Sequence, residues 1–501
     1  MVHRGQEPSG SPSLESSPVT SKKNSASILA SLQHLWRESA PAFSQPRVAE
    51  RAQALSLSSL LCLGRHTVTG LLTTCGQEFL DWSADYRLFS HHRLPIDALF
   101  SVLRRAALTQ LPPHAPLCVA IDDTLLRKRG MRIPGVAWRR DPLGPHFQTN
   151  FVCAQRFLQL SADIPLAAGD HRMVPIAFVH APTPTRPSAK ASDQDRAAYR
   201  KASRLACLSR RAAQQISTLR QALDAESGGS PRPLHIFGDG GYTNSTVLKS
   251  LPENTVFTGR IRKDAKLYLL PPQSPEPQRR GRPRHYGAPI PTPEQIRTAD
   301  SIPWQAISIS IAGTTHSMKV KICRNLLWRT AGLRHTLQLM VIAPLGYRLR
   351  SGSKLLYRKP AFLISTDPQL DAQELLQGYV RRWGIEVNFR EEKTLLGVGQ
   401  AQVRHPESVA AVPALQVASY AMLLLSMIRA DSDPLPAPKW AASQTPHRQS
   451  TRRAINQLRG EIWGRALGLT NFSDLVICAP TASKSEKFLP HLPSALLYAS
   501  N

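Results

Sequence analysis

The chain has 501 residues, of which 63 are Lys or Arg and 35 Asp or Glu, giving a formal net charge of +28 at pH 7 and a pI near 10.4. That length allows about two to four domains with a sizeable core, and the positive excess points to a polyanionic partner whose counterions Lys and Arg displace, although ribosomal and membrane-surface proteins are this basic too. The seven cysteines are an odd, scattered set without a Cys-x-x-Cys pair, which argues against a disulfide framework or a zinc site and fits free thiols in a reducing cytoplasm.

Residues 1–27 open with the Ser/Pro-rich stretch MVHRGQEPSGSPSLESSPVTSKKNS. They lack the apolar run of a signal peptide and are expected to be a disordered tail. From 28 to 112, segments such as SILASLQHLW and DALFSVLRRAAL repeat apolar residues at helical spacing and predict an all-α N-terminal domain. Within it GRHTVTGLLTTCG reads either as the turn and second helix of a DNA-reading helix-turn-helix or as ordinary helix packing, with Arg65 and His66 its only strong polar groups.

The pattern then changes to strands. PLCVAID, residues 116–122, is a short apolar run ending in an acid, the form of a buried strand whose carboxyl end meets a site. NFVCAQRFLQLSADIP and HRMVPIAFVHAP follow as extended segments, and about 193–226 reads as one long basic helix. LHIFGDGGY is a second apolar strand ending in an acid, Asp239, after which NSTVLKSLP predicts a short helix and NTVFTGRIR another strand. This order implies a mixed sheet flanked by helices over residues 113–263.

Residues 264–360 form a β-rich insertion in this reading. Their Pro-rich stretch PPQSPEPQRRGRPRHYGAPIPTP contains an RGRP core that suits either a minor-groove clamp or a solvated basic loop. WQAISISIAG, SMKVKICRN and HTLQLMVIAP alternate with a period of two. AFLIST is one more strand, and Asp367 and Asp371 are expected to cap the helix that follows, within a segment taken as 361–430. The uncharged stretch Val409–Ile428 is long enough to span a bilayer, yet its Pro413, Gln416, Ser419 and Ser426 favour a buried core helix. Residues 431–501 read as a linker and a C-terminal helical tail carrying the helix TRRAINQLRGEIW.

The most informative stretch is YVRRWGIEVNFREEK, residues 379–393. On a single α-helix at about 100° per residue, Tyr379, Arg382, Glu386 and Lys393 fall at roughly 0°, −60°, −20° and −40°, one narrow stripe, while Glu391 and Glu392 fall elsewhere. One acid between two cations suits a carboxylate that binds a metal beside groups that grip phosphate; a solvated amphipathic helix with i,i+4 ion pairs has the same pattern. With Asp122 or its neighbour Asp123, and Asp239, this acid completes a set able to bind hard Mg²⁺ ions for phosphodiester cleavage. Neighbouring strand residues point to opposite faces, so only one of Asp122 and Asp123 faces the site.

The Y-x2-R-x3-E-x6-K spacing of Tyr379, Arg382, Glu386 and Lys393 resembles the signature of a group of bacterial insertion-sequence transposases with a DDE catalytic domain. AIDDT resembles that group's first-acid motif, a strand ending in Asp-x-Thr, which selects Asp122. FGDGGYTNSTVLKSL resembles its second and selects Asp239. The resemblance implies a mixed α/β, RNase H-like core with a β-rich insertion, and a catalytic and metal set of Asp122, Asp239 and Glu386 holding two Mg²⁺ or Mn²⁺ ions. It also implies phosphate contacts from Tyr379, Arg382 and Lys393, which Arg260 and Arg262 are expected to join. The expected activity is cleavage at transposon ends followed by strand transfer into target DNA, by a homodimer on double-stranded DNA in the bacterial cytoplasm, at the nucleoid and away from the membrane. A nuclease of the same fold without strand transfer, and a DNA-binding relative whose acids are structural, are the competing readings.

Overall fold

The structure is a computed structural model that describes residues 27–141, 144–145, 147–166, 170–226, 231–272, 284–311, 314–348, 352–430 and 450–467. The RGRP motif, most of the N-terminal and C-terminal tails and the 431–449 linker lie outside the described residues.

Five helices come first: α1 (Ile28–Ser39), α2 (Pro46–Leu61), α3 (Val68–Thr74), α4 (Ser83–Ser90) and α5 (Ile96–Leu108). The chain then enters β1 (Leu117–Arg127), β2 (Ala137–Arg140), β3 (Phe151–Pro165) and β4 (His171–His180), followed by α6 (Asp193–Leu205) and α7 (Leu208–Glu226). Next come β5 (Leu234–Gly238), α8 (Ser245–Leu248), β6 (Thr255–Arg260), β7 (Tyr268–Leu269), α9 (Pro293–Thr298), β8 (Gln305–Ile311), β9 (Thr314–Trp328) and β10 (Gly332–Ile342). A small hairpin, β11 (Gly346–Tyr347) with β12 (Leu356–Tyr357), precedes β13 (Ala361–Ser365). Last are α10 (Ala372–Arg381), α11 (Gly384–Leu395), α12 (Ser408–Arg429) and α13 (Thr451–Leu467).

One 11-stranded sheet runs β2-β3-β1-β5-β6-β13-β10-β9-β7, with β4 also on β3 and β8 on β9. β1, β5 and β6 are mutually parallel and the other pairings are antiparallel. The sub-order β4-β3-β1-β5-β6, three antiparallel strands and then two parallel ones, is the mixed α/β arrangement of an RNase H-like core. Parallel strands need a crossover, and α6 and α7 supply it between β4 and β5.

Two expected helices are each broken in two. The basic helix divides between Leu205 and Leu208 into α6 and α7. The charged helix kinks at Arg382 and Trp383, where Trp383 N–H donates to the Val380 carbonyl. The cause of the second break is packing: a Cβ on Gly384 would lie 2.6 Å from Met173 Cγ, so glycine lets the start of α11 rest directly on β4.

The strands of 264–360 do not form a module apart. β10 pairs with β13, and β13 pairs in turn with β6, so they continue the central sheet. Ile307, Ile309, Val320, Met340, Ile342 and Leu363 make an apolar floor under Leu375 and Leu376 of α10. Gln377 fixes the seat by accepting from Ser310 N–H at 2.8 Å and donating to Ser310 O at 2.9 Å. At the other side of α10, a Cβ on Gly378 would lie 2.2 Å from the Phe237 ring. That close approach draws α10 onto β5.

The N-terminal helices share their core with the sheet. α1, α2, α4 and α5 pack around α12, which also lies on β4, and residues from all of them join the same buried cluster as β1 and β5. α12 is long and apolar enough to cross a membrane, but here its Leu415, Val417, Met422, Leu423 and Leu425 are buried inside the protein, each contributing roughly 1.5–3 kcal/mol by leaving water. The helix-turn-helix candidate is built into the same core. Val68, Leu71 and Leu72 of α3 are buried, His66 N–H donates to Gln400 Oε1 at 2.7 Å, and Gln416 donates to His66 O, which ties that turn inward.

Candidate active site

The period of two along β1 decides which acid faces which way. Leu117, Val119 and Ile121 belong to the main core, while Ala120 packs with Met173, Ile385 and Phe389. Asp122 shares the side of Ala120 and so looks toward α11. The strand does not stop at this acid as the sequence suggested. β1 runs on to Arg127 against β3, whereas its pairing with β5 ends at Ile121 and Gly238, so Asp122 and Asp239 are the first residues beyond the parallel ladder on neighbouring strands. Asp239 follows His235 and Phe237 at alternate positions, on the side that α10 covers, and its Oδ1 accepts from Gly241 N–H at 2.7 Å. Glu386 comes from the first turn of α11.

Arg382 stands between two of the three acids. Its Nη1 is 3.5 Å from Asp122 Oδ2 and its Nη2 3.3 Å from Glu386 Oε1. The guanidinium is buried, and its Nε and Nη1 make no hydrogen bond. Burial, reinforced by the negative charges of Asp239 and Asp123, pushes the Asp122 carboxyl up to about 7 against the opposing Asp123 N–H and Arg382. Burial raises Glu386 as well, with Asp239 adding to the shift and Arg382 resisting it. The three acids thus feel one another through Asp239. Tyr379 lies with its ring centroid 5.5 Å from the Arg382 Cζ. Its hydroxyl is raised by burial and by Asp239 and is lowered by the charges of Arg382 and Arg260, which puts Arg260, at the end of β6, in the same field.

Two of the expected phosphate contacts stand further from Arg382. Lys393 is exposed about two turns beyond Glu386 along the same side of α11, with its Nζ 6.0 Å from the centre of the Phe389 ring. Arg262 is exposed and paired with Asp264 at 2.8 Å. The neighbouring acids on α11 are engaged elsewhere too. Glu391 binds Arg172, Tyr420 and Thr451, and Glu392 is buried beside Gln159.

Asp123, on the opposite side of β1, forms a brace that was not legible in the sequence. Tyr242 O–H donates to its Oδ1 at 2.9 Å, Arg156 Nε lies 3.1 Å from its Oδ2, and its own N–H donates to Asp122 Oδ1 at 2.8 Å. Tyr242 N–H in turn donates to Asp239 O, so a single chain of hydrogen bonds links the two aspartates. Tyr242, three residues after Asp239 in FGDGGY, was the available signal for it; nothing local marked Arg156.

Three hard oxygen donors on one side of the sheet match the coordination chemistry of Mg²⁺ or Mn²⁺, and a carboxyl held as high as Asp122 gains from a nearby cation. The side chains do not converge into a cage: among the described residues no three His, Cys, Asp or Glu stand close enough to hold a metal ion. The positive charge between Asp122 and Glu386 is supplied here by Arg382.

No curated protein matches the chain. A family profile described as DDE superfamily endonuclease matches residues 40–333, more than half of the sequence. The matched span includes Asp122 and Asp239 on their neighbouring strands and stops before Glu386. Endonucleases of this superfamily act on DNA, typically with divalent metals, and the mixed sheet that carries the acids is consistent with that assignment: the chain belongs to the DDE superfamily endonucleases.

Proposed function

We propose that this endonuclease is a DNA transposase of the Tyr-Arg-Glu-Lys group, and that Asp122, Asp239 and Glu386 hold two Mg²⁺ or Mn²⁺ ions at the scissile phosphate. Such ions, when bound, supply a Lewis acid for the phosphate and lower the pKa of an attacking water. The protein's part is to hold the acids on one side of the sheet, to keep Asp122 fixed through the Asp123–Tyr242 brace, and to offer Arg382 and Tyr379 to phosphate oxygens. Hydrolysis frees a 3′ hydroxyl at a transposon end, and that hydroxyl attacks target DNA at the same acids. Residues 113–263 and 361–430 supply the chemistry in this reading, and the strands of 264–360 hold α10 and the DNA end. We place the enzyme on double-stranded DNA as a homodimer in the bacterial cytoplasm.

The observation that carries this reading is the placement of the buried Arg382 between Asp122 and Glu386, at 3.5 and 3.3 Å, with Asp122 and Asp239 on neighbouring strands just beyond the parallel ladder. The test is to incubate the purified chain with duplexes carrying its flanking element ends and Mg²⁺, resolving nicked and joined products on a sequencing gel. Asp122→Ala, Asp239→Ala and Glu386→Ala are each expected to abolish cleavage while keeping end binding within a few-fold, whereas Asp123→Ala, which loosens the brace and leaves the three acids, should still cut at a reduced rate. Cleavage without joined products would reduce the activity to that of a nuclease, and full activity in EDTA would end the metal assignment.

A further inference from the structure

Helix α6 has an unusual standing in the fold, because none of its residues is buried. Its sequence, DQDRAAYRKASRL, is too polar to be held by a core. Its start is secured locally by Ser192, whose side chain caps the Asp195 N–H while Asp195 caps Ser192 in return. A solvated helix with so little packing is kept in place by its two ends, unless its side chains have another partner.

Those side chains are mostly cations. Arg200, Lys201 and Arg204 of α6, with Arg210 from the first turn of α7, line one concavity of about 390 Å³ whose other lining residues are Ala197 and Leu205. All four cations are exposed, and among the described residues none has an ion-pair partner, although Arg196, one turn earlier, is paired with Asp193 at 3.5 Å. Four like charges gathered around one hollow with no carboxylate in its wall repel one another, and that repulsion is relieved when an anion enters.

The inner side of α6 leads to Asp123, the neighbour of Asp122 on the opposite face of β1. Tyr199 and Ser203 line a second cavity of about 290 Å³ together with Thr183 and Arg156, and Arg156 is the residue that pairs with Asp123 beside Asp122. The basic hollow therefore lies on the Arg156 flank of the site, away from Arg382 and α10.

We infer that α6 and the start of α7 form a phosphate track for duplex DNA, with Arg200, Lys201, Arg204 and Arg210 contacting the backbone of the segment that flanks the scissile phosphate. The inference rests on the proposed reaction for the placement of that phosphate. The recognition itself is sequence-independent, since guanidinium and ammonium groups on an exposed helix read charge and not base edges.

The test uses the full chain and a fluorescein-labelled duplex of arbitrary sequence, titrated between 50 and 300 mM NaCl. Replacing Arg200, Lys201 and Arg204 together by Ala should lower affinity at least tenfold at the lower salt and reduce the slope of log affinity against log salt by about 2 to 3, near 0.9 for each phosphate no longer neutralised. A variant with Arg200→Lys and Arg204→Lys should keep the slope, and matching thermal unfolding of all three proteins shows that the fold is intact. Equal slopes for the wild type and the Ala variant would overturn the track, as would a loss confined to RNA duplexes with DNA binding unchanged. Cleavage on Mg²⁺ addition is scored in parallel, with the same proteins, on duplexes carrying the flanking element ends. A changed slope with no cleavage by the wild type sinks the reaction and leaves the track standing, whereas cleavage with equal slopes does the reverse.

Discussion

Replacing Glu392 by Gln isolates a charge that the fold has buried without a counterion in contact. Glu392 lies on α11 two turns beyond Glu386, is 1% exposed, and makes no hydrogen bond through its Oε1. Burial pushes its carboxyl from 4.5 up to about 8, with Glu391 adding to the shift while Gln159 and Lys393 oppose it. The native state therefore binds a proton here that the unfolded chain has already released between pH 4.5 and about 8. Stability contributed by the protonated group is whole below that window and is lost as pH rises through it, at about 1.4 kcal/mol per pH unit. The full window amounts to on the order of 5 kcal/mol, a ceiling because the amide of Gln159 can turn its N–H₂ toward the carboxylate and water can enter. Gln has the same shape and no charge to lose. In urea titrations followed by tryptophan fluorescence, Glu392→Gln should match the wild type within about 1 kcal/mol at pH 5 and exceed it by at least about 2 kcal/mol at pH 8.5. A wild-type-to-variant difference that is the same at both pH values would refute the reasoning, because it would mean that Glu392 does not titrate within the window.

Arg382→Ala removes the cation that holds Asp122 and Glu386 below where burial alone would leave them, so the acidic limb of the cleavage profile should move to higher pH; an unmoved limb with lower overall activity would reduce Arg382 to a phosphate contact. If residues 264–360 were a separable insertion, their excision would leave a folded core that cuts poorly. The pairing of β13 with β10 and the seat of α10 on β8 and β10 change that outcome: the excised chain should expose apolar strand edges, bind a hydrophobic dye and aggregate, and a soluble, cooperatively unfolding product would show that the sheet is separable after all.

The two aspartates were legible because each ends a short apolar run, and a run of that kind is what a strand covered on both sides looks like. The length of β1 was not, since the residues after Asp123 are held by β3 alone and carry no continuous apolar signal. Glu386 was legible from spacing, and its contact with Arg382 follows the i,i+4 rule even across the kink. The break in the helix was hidden for a tertiary reason. The periodicity assumed one straight helix, and the close approach of Gly384 to Met173 at the start of α11, which sets Tyr379 and Arg382 on a different axis from Glu386 and Lys393, joins residues more than two hundred positions apart. The same separation hid the role of the alternating strands. Their period of two was plain in the sequence, but that they complete the central sheet and form the floor for α10 depends on β13, which follows them in the chain. The α-helical N-terminal region was recognisable as helices and not as part of a common core, because its partner α12 lies at the other end of the sequence.

That partnership bears on how the chain is made. α5 ends at Leu108 and α12 begins at Ser408, so about 300 residues emerge from the ribosome before the helix that α1, α2, α4 and α5 enclose exists. At synthesis rates of about 5–20 residues per second this is roughly 15 to 60 s during which Leu35, Leu55, Leu99 and Leu103 lack the helix that completes their packing. A nascent chain in that state offers an apolar surface to chaperones, and a chain truncated before α12 has no route to the native core. The acids on the early strands and the glutamate on α11 are all translated before α12, whose packing on β4 and α11 completes the frame around them.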